Sequence, residues 1–163
     1  MNLITPHGVA SLTPLIATGQ RLADLEAESA TLPSITVSSA AAANAVMLGA
    51  GYFTPLKGYM NRADALSVAT DLKTTGDLFW PVPVLNMVER FDGNVGDRIA
   101  LRDPNVDGAP VIAVMDVTAI ECLSDDDMTL MTREVFGTND PNHPGVATFN
   151  AQGQVLLSGP IEV

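Results

Sequence analysis

Three segments of the chain place apolar residues at helical spacing, and each follows a residue that can cap a helix. The predicted helices cover about residues 40–48, 62–72 and 125–136. Their capping candidates are Ser38 or Ser39, Asn61 and Ser124. Serine and asparagine at this position accept a hydrogen bond from a free backbone N–H of the first turn. Gly49 and Gly137 can end the first and third helices, because glycine adopts the left-handed conformation without strain.

Four other segments are rich in β-branched residues and predict strands. They are residues 81–88, 98–102, 111–120 and 155–161. Turn sequences such as Asp92-Gly93-Asn94 and Asp107-Gly108 separate them. The predicted helices lie mainly early in the chain and the strands mainly late, which favours an α+β fold with a closed or half-closed barrel. A length of 163 residues suits one domain with a sizeable core.

Composition narrows the cellular setting. Apolar residues make up 47% of the chain and aromatic residues only 5%, so the predicted core is mainly aliphatic. The sequence contains neither a signal-peptide pattern nor eighteen consecutive apolar residues, and we therefore predict a cytoplasmic protein that does not enter a membrane. The single Cys122 excludes an internal disulfide and a CxxC metal site.

Charge argues against polyanionic partners. The chain has eight Lys plus Arg against nineteen Asp plus Glu, a formal charge of -11, and no phosphate-binding glycine-rich loop. From residue 104 onward nine acidic residues face one basic residue, Arg133. Because nucleic-acid backbones bind positive surfaces, RNA or DNA is a disfavoured partner.

Two acidic clusters could suggest a metal site, but neither has the full pattern. Asp103, Asn105, Asp107 and Gly108 match the first half of a calcium loop, yet the twelfth position holds Val114 instead of a bidentate glutamate. The run of residues 125–127 is all aspartate, but adjacent helical side chains point about 100° apart and cannot converge on one ion. We predict a hairpin turn and a helix start at these places, and no metal.

Five short segments resemble the N-terminal part of the ATP sulfurylases, also called sulfate adenylyltransferases. They are residues 6–8 (PHG), 51–60 (GYFTPLKGYM), 78–84 (LFWPVPV), 96–104 (GDRIALRDP) and 135–146 (VFGTNDPNHPGV). They occur in the family's order, and the similarity runs from about residue 6 to the end of the chain. The resemblance implies a PUA-like, β-barrel-type domain with several short helices, spanning residues 1–163 as one unit.

The same resemblance implies that the catalytic nucleotidyltransferase domain is absent. In the family that domain carries a Gln-x-Arg-Asn segment and a His-x-x-His segment, which hold the phosphates of ATP and the sulfate. Residues 143–146 supply the first histidine of such a pair but end in Val146, and no glutamine is followed two residues later by arginine. Adenylyl transfer needs concentrated positive charge. We therefore expect the chain alone to be inactive, with no catalytic residue and no cofactor.

The expected role is support of the catalytic domain, in cis or in trans, and of contacts within an oligomer. The candidate interface residues lie near prolines and glycines, at spacings that neither a helix nor a strand explains. They are His7, Phe53, Tyr59, Trp80 and His143. Rigid aromatic segments of this kind bind partners at low entropic cost, although they are also common in cores. The alternative is a free-standing acidic module that binds a basic protein or, less readily, RNA.

Overall fold

The computed structural model describes residues 5–163, which form five helices and a curled sheet of seven strands. The helices are α1 (Gly19–Ser29), α2 (Ser39–Gly49), α3 (Arg62–Asp71), α4 (Asp125–Phe136) and α5 (Pro144–Asn150). The strands are β1 (Ser34–Thr36), β2 (Gly58–Tyr59), β3 (Met87–Val88), β4 (Arg98–Arg102), β5 (Val111–Asp116), β6 (Ala119–Cys122) and β7 (Val155–Glu162). The predicted α+β class is confirmed, with the sheet curled into a half-barrel.

All three predicted helices form behind their predicted caps. The side chains of Ser38, Asn61 and Ser124 each accept a hydrogen bond from the backbone N–H three residues later. Gly137 ends α4 with φ 71°, as predicted. Gly49, however, stays within α2, where a side chain would collide with Val163, and the left-handed residue is Gly51, with φ 80°. Helices α1 and α5 were not predicted, because α1 is mostly polar and α5 is only seven residues long.

Two predicted strands were too long. Of residues 81–88, only Met87 and Val88 pair with β7, because the prolines at 81 and 83 lack the N–H that a strand needs. The predicted strand 111–120 divides at residues 117–118 into β5 and β6. The two pieces pair with opposite halves of β7, which requires a bend between them.

Strand β7 is the centre of the sheet. Its first half pairs with β3 and β6, and its second half pairs with β5 and β2. The sheet continues from β5 through β4 to the parallel edge strand β1. At the crossover Gly159 has φ 150°, and a Cβ built on it would overlap the carbonyl oxygen of Asp116. Only glycine lets the strands approach this closely.

The core fills the space between the concave sheet and helices α2, α3 and α4. Its largest fully buried side chains come from both sides of that space; they include Leu48, Val68, Met87, Ile99, Leu101, Met115, Met131, Leu156 and Leu157. The core is aliphatic, as the composition predicted. Helix α5 adds Val146, which is 1% exposed. Helices α2, α3 and α4 therefore cover this face of the half-barrel, and α5 packs on α4.

Candidate functional site

Two apolar grooves lie on the surface of the molecule. The first, here named the α4–α5 groove, has a volume of about 480 Å³. It is lined by Ala40, Asn44, Val82, Pro83, Leu85, Met131, Val135, Phe136, Pro144, Gly145, Thr148, Phe149 and Gln152. None of these side chains carries a charge. The groove can hold an apolar group, but it offers nothing that would hold a phosphate or sulfate.

The second groove, here named the aromatic groove, has a volume of about 450 Å³. It is lined by Pro6, His7, Leu12, Gly51, Tyr52, Thr54, Phe79, Trp80 and Pro81. The hairpin of residues 73–79 presents Phe79 at its edge, and Tyr52 leaves α2 with 73% of its surface exposed. The segment 79–85 separates the two grooves, because it lines the aromatic groove at its start and the α4–α5 groove at its end.

Three of the five candidate interface residues lie at or next to these grooves with part of their surface free. His7 is exposed and stands edge-on to Phe79, with ring centroids 6.2 Å apart. Phe53 is half-buried and packs edge-on against Trp80 at 5.9 Å. His143 is exposed at the start of α5, where its ring lies 5.8 Å from that of Phe136. The two histidines therefore border different grooves and do not form one site.

The other two candidates belong to the core. Tyr59 is 4% exposed, and its hydroxyl donates to the carbonyl of Ala41 at 2.8 Å. Burial raises the pKa of this hydroxyl, so it stays protonated and keeps its hydrogen bond. Trp80 lines the aromatic groove but is only 7% exposed. Both residues therefore have little surface for a partner.

A signal that the motif reasoning missed is the distribution of charge along the chain. Residues 1–20, 29–56, 78–88 and 141–161 contain no Asp, Glu, Lys or Arg, although 17% of the whole chain is charged. These uncharged stretches supply the lining of the aromatic groove and most of the lining of the α4–α5 groove. Counting charges along the sequence would therefore have pointed to the same surface.

Most of the positively charged side chains form ion pairs, and none of them lines either groove. Within residues 5–163, six of the eight Lys and Arg form ion pairs with carboxylates; they are Arg21, Arg62, Lys73, Arg90, Arg98 and Arg133. Arg102 donates instead to Ser34 and to the carbonyl of Ala109. Lys57 is the one remaining cation in the described part of the chain without such a partner. One free lysine does not make a site for a triphosphate.

The densest of these ion networks joins four elements around Arg98. Its guanidinium bonds Glu28 of α1, Asp116 of β5 and Glu162 of β7. Burial opposes the charged form, but the three carboxylates together raise the pKa of Arg98. Glu162 also bonds Arg21, and hydrogen bonds from Arg21 and Arg98 lower the pKa of Glu162 to about 2 despite its partial burial. This network holds α1 on the sheet.

A second ion pair joins α3 to α4. Arg62 donates Nε and Nη2 to the two carboxylate oxygens of Asp127, at 2.9 and 2.8 Å. Asp127 is 6% exposed, and it also completes the capping box of α4 with Ser124. The hydrogen bonds from Arg62, and to a smaller extent those from Ser124, lower the pKa of Asp127. Asp127 therefore starts a helix, as predicted for the aspartate run.

The calcium-like segment forms the loop of the β4–β5 hairpin. Asp103 accepts from the backbone and side-chain nitrogens of Asn105 at 2.8 Å, and Asn105 accepts from Ser39. Over residues 5–163, no three His, Cys, Asp or Glu side chains are grouped so that they could hold a metal ion.

In the part of the chain that the structure describes, no helix is long and apolar enough to cross a membrane.

Comparison with known proteins agrees with the fold. The sequence model of the PUA-like domain family matches residues 4–163. Over 99% of its length the chain is 56% identical to a sulfate adenylyltransferase from Alcanivorax borkumensis and 55% identical to one from Allochromatium vinosum. A further sulfate adenylyltransferase, from the Riftia pachyptila sulfur-oxidizing endosymbiont, is 46% identical over the same share. The chain spans about two fifths of the length of these relatives.

One solved structure has the same fold along almost the whole chain. It is described as a hexameric APS kinase from Thiobacillus denitrificans, and it matches 99% of this chain with a TM-score of 0.69. The match covers 27% of that protein at 22% sequence identity, so it informs about the fold alone. Taken with the curled half-barrel and its five short helices, these matches show that the chain belongs to the PUA-like domain family, in the form that resembles part of the sulfate adenylyltransferases.

Proposed function

We propose that this chain is the non-catalytic N-terminal domain of a sulfate adenylyltransferase. The observation that carries the proposal is the match to such enzymes over 99% of this chain and only 41% of theirs. The domain supports the catalytic domain, in cis or in trans, and contributes to contacts within an oligomer. Its place is the cytoplasm, where ATP is available.

The charges of the domain support this division of labour. Transfer of an adenylyl group to sulfate brings a dianion to a polyanionic triphosphate, and the enzyme must neutralise both. Six of the eight cations here already face carboxylates, and neither groove is lined by a Lys or Arg side chain. The uncharged grooves suit protein contacts, since the centres of protein interfaces are poor in charge.

The test is a chimera that carries this chain in place of the matched part of the Alcanivorax borkumensis enzyme. Release of pyrophosphate from ATP with sulfate is measured for the chimera, for the unmodified enzyme and for the chain alone. We expect the chimera to keep much of the activity of the unmodified enzyme and the chain alone to release none above buffer. Turnover by the chain alone, or a folded chimera without activity, would contradict the proposal.

A further inference from the structure

Helix α2 has an outer surface that is unusual for a helix exposed to water. Residues 39–49 contain no charged side chain, and most of them are alanine or larger apolar residues. Its inner side packs on the core, yet on its outer side Val46 is 57% exposed and Met47 is 37% exposed. Surface helices normally carry polar or charged residues on the outer face, and helices that are apolar all round are normally buried.

This outer surface joins the two grooves into one apolar face. In the first half of α2, Ala40 and the central Asn44 line the α4–α5 groove. At the other end, Tyr52 lines the aromatic groove, and its N–H donates to the carbonyl of Met47. We name the whole surface the α2 face. Its most exposed apolar side chains are Leu12, Val46, Met47, Tyr52, Phe79 and Val82, which range from 37% to 73% exposed. Contiguous apolar surface of this kind marks an interaction site.

Charge decides between two possible occupants of the face. A second copy of this chain would bring together two bodies of formal charge -11, whose mutual repulsion opposes association. A different protein surface, with protruding apolar side chains and fewer carboxylates, carries no such penalty. About three fifths of each sulfate adenylyltransferase relative lies outside the part that matches this chain. That remainder is a partner of adequate size.

The position of Val163 also favours this occupant. Its side chain packs on Gly49 of α2, and its N–H donates to the carbonyl of Leu15 at 2.9 Å. In a relative whose chain continues beyond the equivalent residue, the next segment starts beside the C-terminal end of α2. In such a relative, a domain that follows this point is attached next to the α2 face, and a short connection is enough to place it there.

We infer that the α2 face is the surface on which the catalytic part of a sulfate adenylyltransferase docks. This inference rests on the proposed function and adds to it the location of the contact. Apolar side chains of the catalytic part enter the two grooves and cover Val46 and Val82 between them. The Arg98 network and the β4–β5 hairpin lie outside this contact.

The experiment measures whether single cysteines on the face become inaccessible. Cys122, which is exposed, is first replaced by serine, and Val46→Cys, Val82→Cys and Val95→Cys are then introduced one at a time. Val95 is the matched control, because it is 61% exposed but lines neither groove. Each variant is made in the isolated chain and in the chimera described above. The rate of alkylation at the introduced cysteine is read by peptide mass spectrometry.

We expect the cysteines at 46 and 82 to react about tenfold or more slowly in the chimera than in the isolated chain, since the centre of an interface excludes reagent. The cysteine at 95 should react equally in both. Equal rates at 46 and 82 in an active chimera would overturn the docking site while leaving the proposed function intact. Slower labelling of the isolated chain as its concentration rises would show a second copy on the face, and would overturn the inference too. An inactive chimera would count against the proposed function itself.

Discussion

Replacing Gly159 by alanine should destabilise this protein more than the same change at Gly58 or Gly96. Gly159 stands where β7 passes from one set of partners to the other, with φ 150°, a conformation that costs a residue with a side chain about 1–3 kcal/mol. Its added methyl group would also overlap the carbonyl oxygen of Asp116, so β5 and β7 must move apart. The nearby hydrogen bond from Thr118 N–H to the Ser158 carbonyl, 2.8 Å long, lies at this crossover.

The expected loss has two parts, the backbone strain at residue 159 and a lost hydrogen bond. Loss of the hydrogen bond to the carbonyl of the buried Ser158 costs about 1–3 kcal/mol, so together with the strain we expect Gly159→Ala to lower the free energy of unfolding by about 2–6 kcal/mol. For a domain of this size, each kcal/mol lowers the Tm by about 2–4 °C. Two control variants separate the causes. Gly96→Ala, at φ 97° with no atom within 4 Å, adds only backbone strain, about 1 kcal/mol. Gly58→Ala adds only overlap, with the carbonyl of Gly159.

Urea unfolding followed by tryptophan fluorescence measures all three variants. Trp80 is the single tryptophan and is 7% exposed, so its emission reports the opening of the core. The expected order of destabilisation is Gly159→Ala first, Gly58→Ala second and Gly96→Ala third. A Gly159→Ala variant no less stable than Gly96→Ala would refute the reasoning that close approach of β5 and β7 requires glycine here.

Three further variants test the ion pairs and the buried tyrosine. The pKa of Glu162 is lowered from its ordinary value of 4.5 to about 2. The stabilisation from the ionised carboxylate is therefore fully present above pH 4.5 and is lost as the pH falls towards 2. Replacement of this residue, Glu162→Gln, should flatten the decline in Tm between about pH 5 and about pH 3. An unchanged decline would show that the network contributes nothing. Asp127→Ala removes a capping box and a buried partner of an arginine, and should cost about 2 kcal/mol by urea unfolding. Its neighbour Asp126→Ala should have little effect, and equal losses would contradict this assignment. Tyr59→Phe deletes a buried hydrogen bond and should cost about 1 kcal/mol, whereas unchanged stability would mean that the bond has no net value.

Helix positions could be predicted from the sequence wherever a local interaction decides them. Ser38, Asn61 and Ser124 were identified as caps because each needs only a backbone N–H three residues away. Gly137 was identified as a terminator for the same reason. The prediction that Gly49 ends α2 was wrong, because glycine is needed there for close contact with Val163, which lies far away in sequence. Local chemistry fixed the caps, and a distant contact decided the exception.

Strand limits and the candidate surface depended on the tertiary structure. Whether residues 111–120 form one strand or two is decided by β7, which offers different partners on either side of Gly159. Aromatic residues near prolines could not be sorted by sequence, so Tyr59 was placed among interface candidates although it is buried.

The sequence by itself determined the resemblance to sulfate adenylyltransferases, the α+β class and the shortage of positive charge, because these depend on residue identity and short spacing. Only the tertiary structure decided that uncharged stretches far apart in the chain meet on one side of the molecule. Burial and exposure depend on which segments pack together, and no local pattern contains that information. For this reason Val46 and Tyr52 could be recognised as exposed, and Tyr59 as buried, only after the chain was folded.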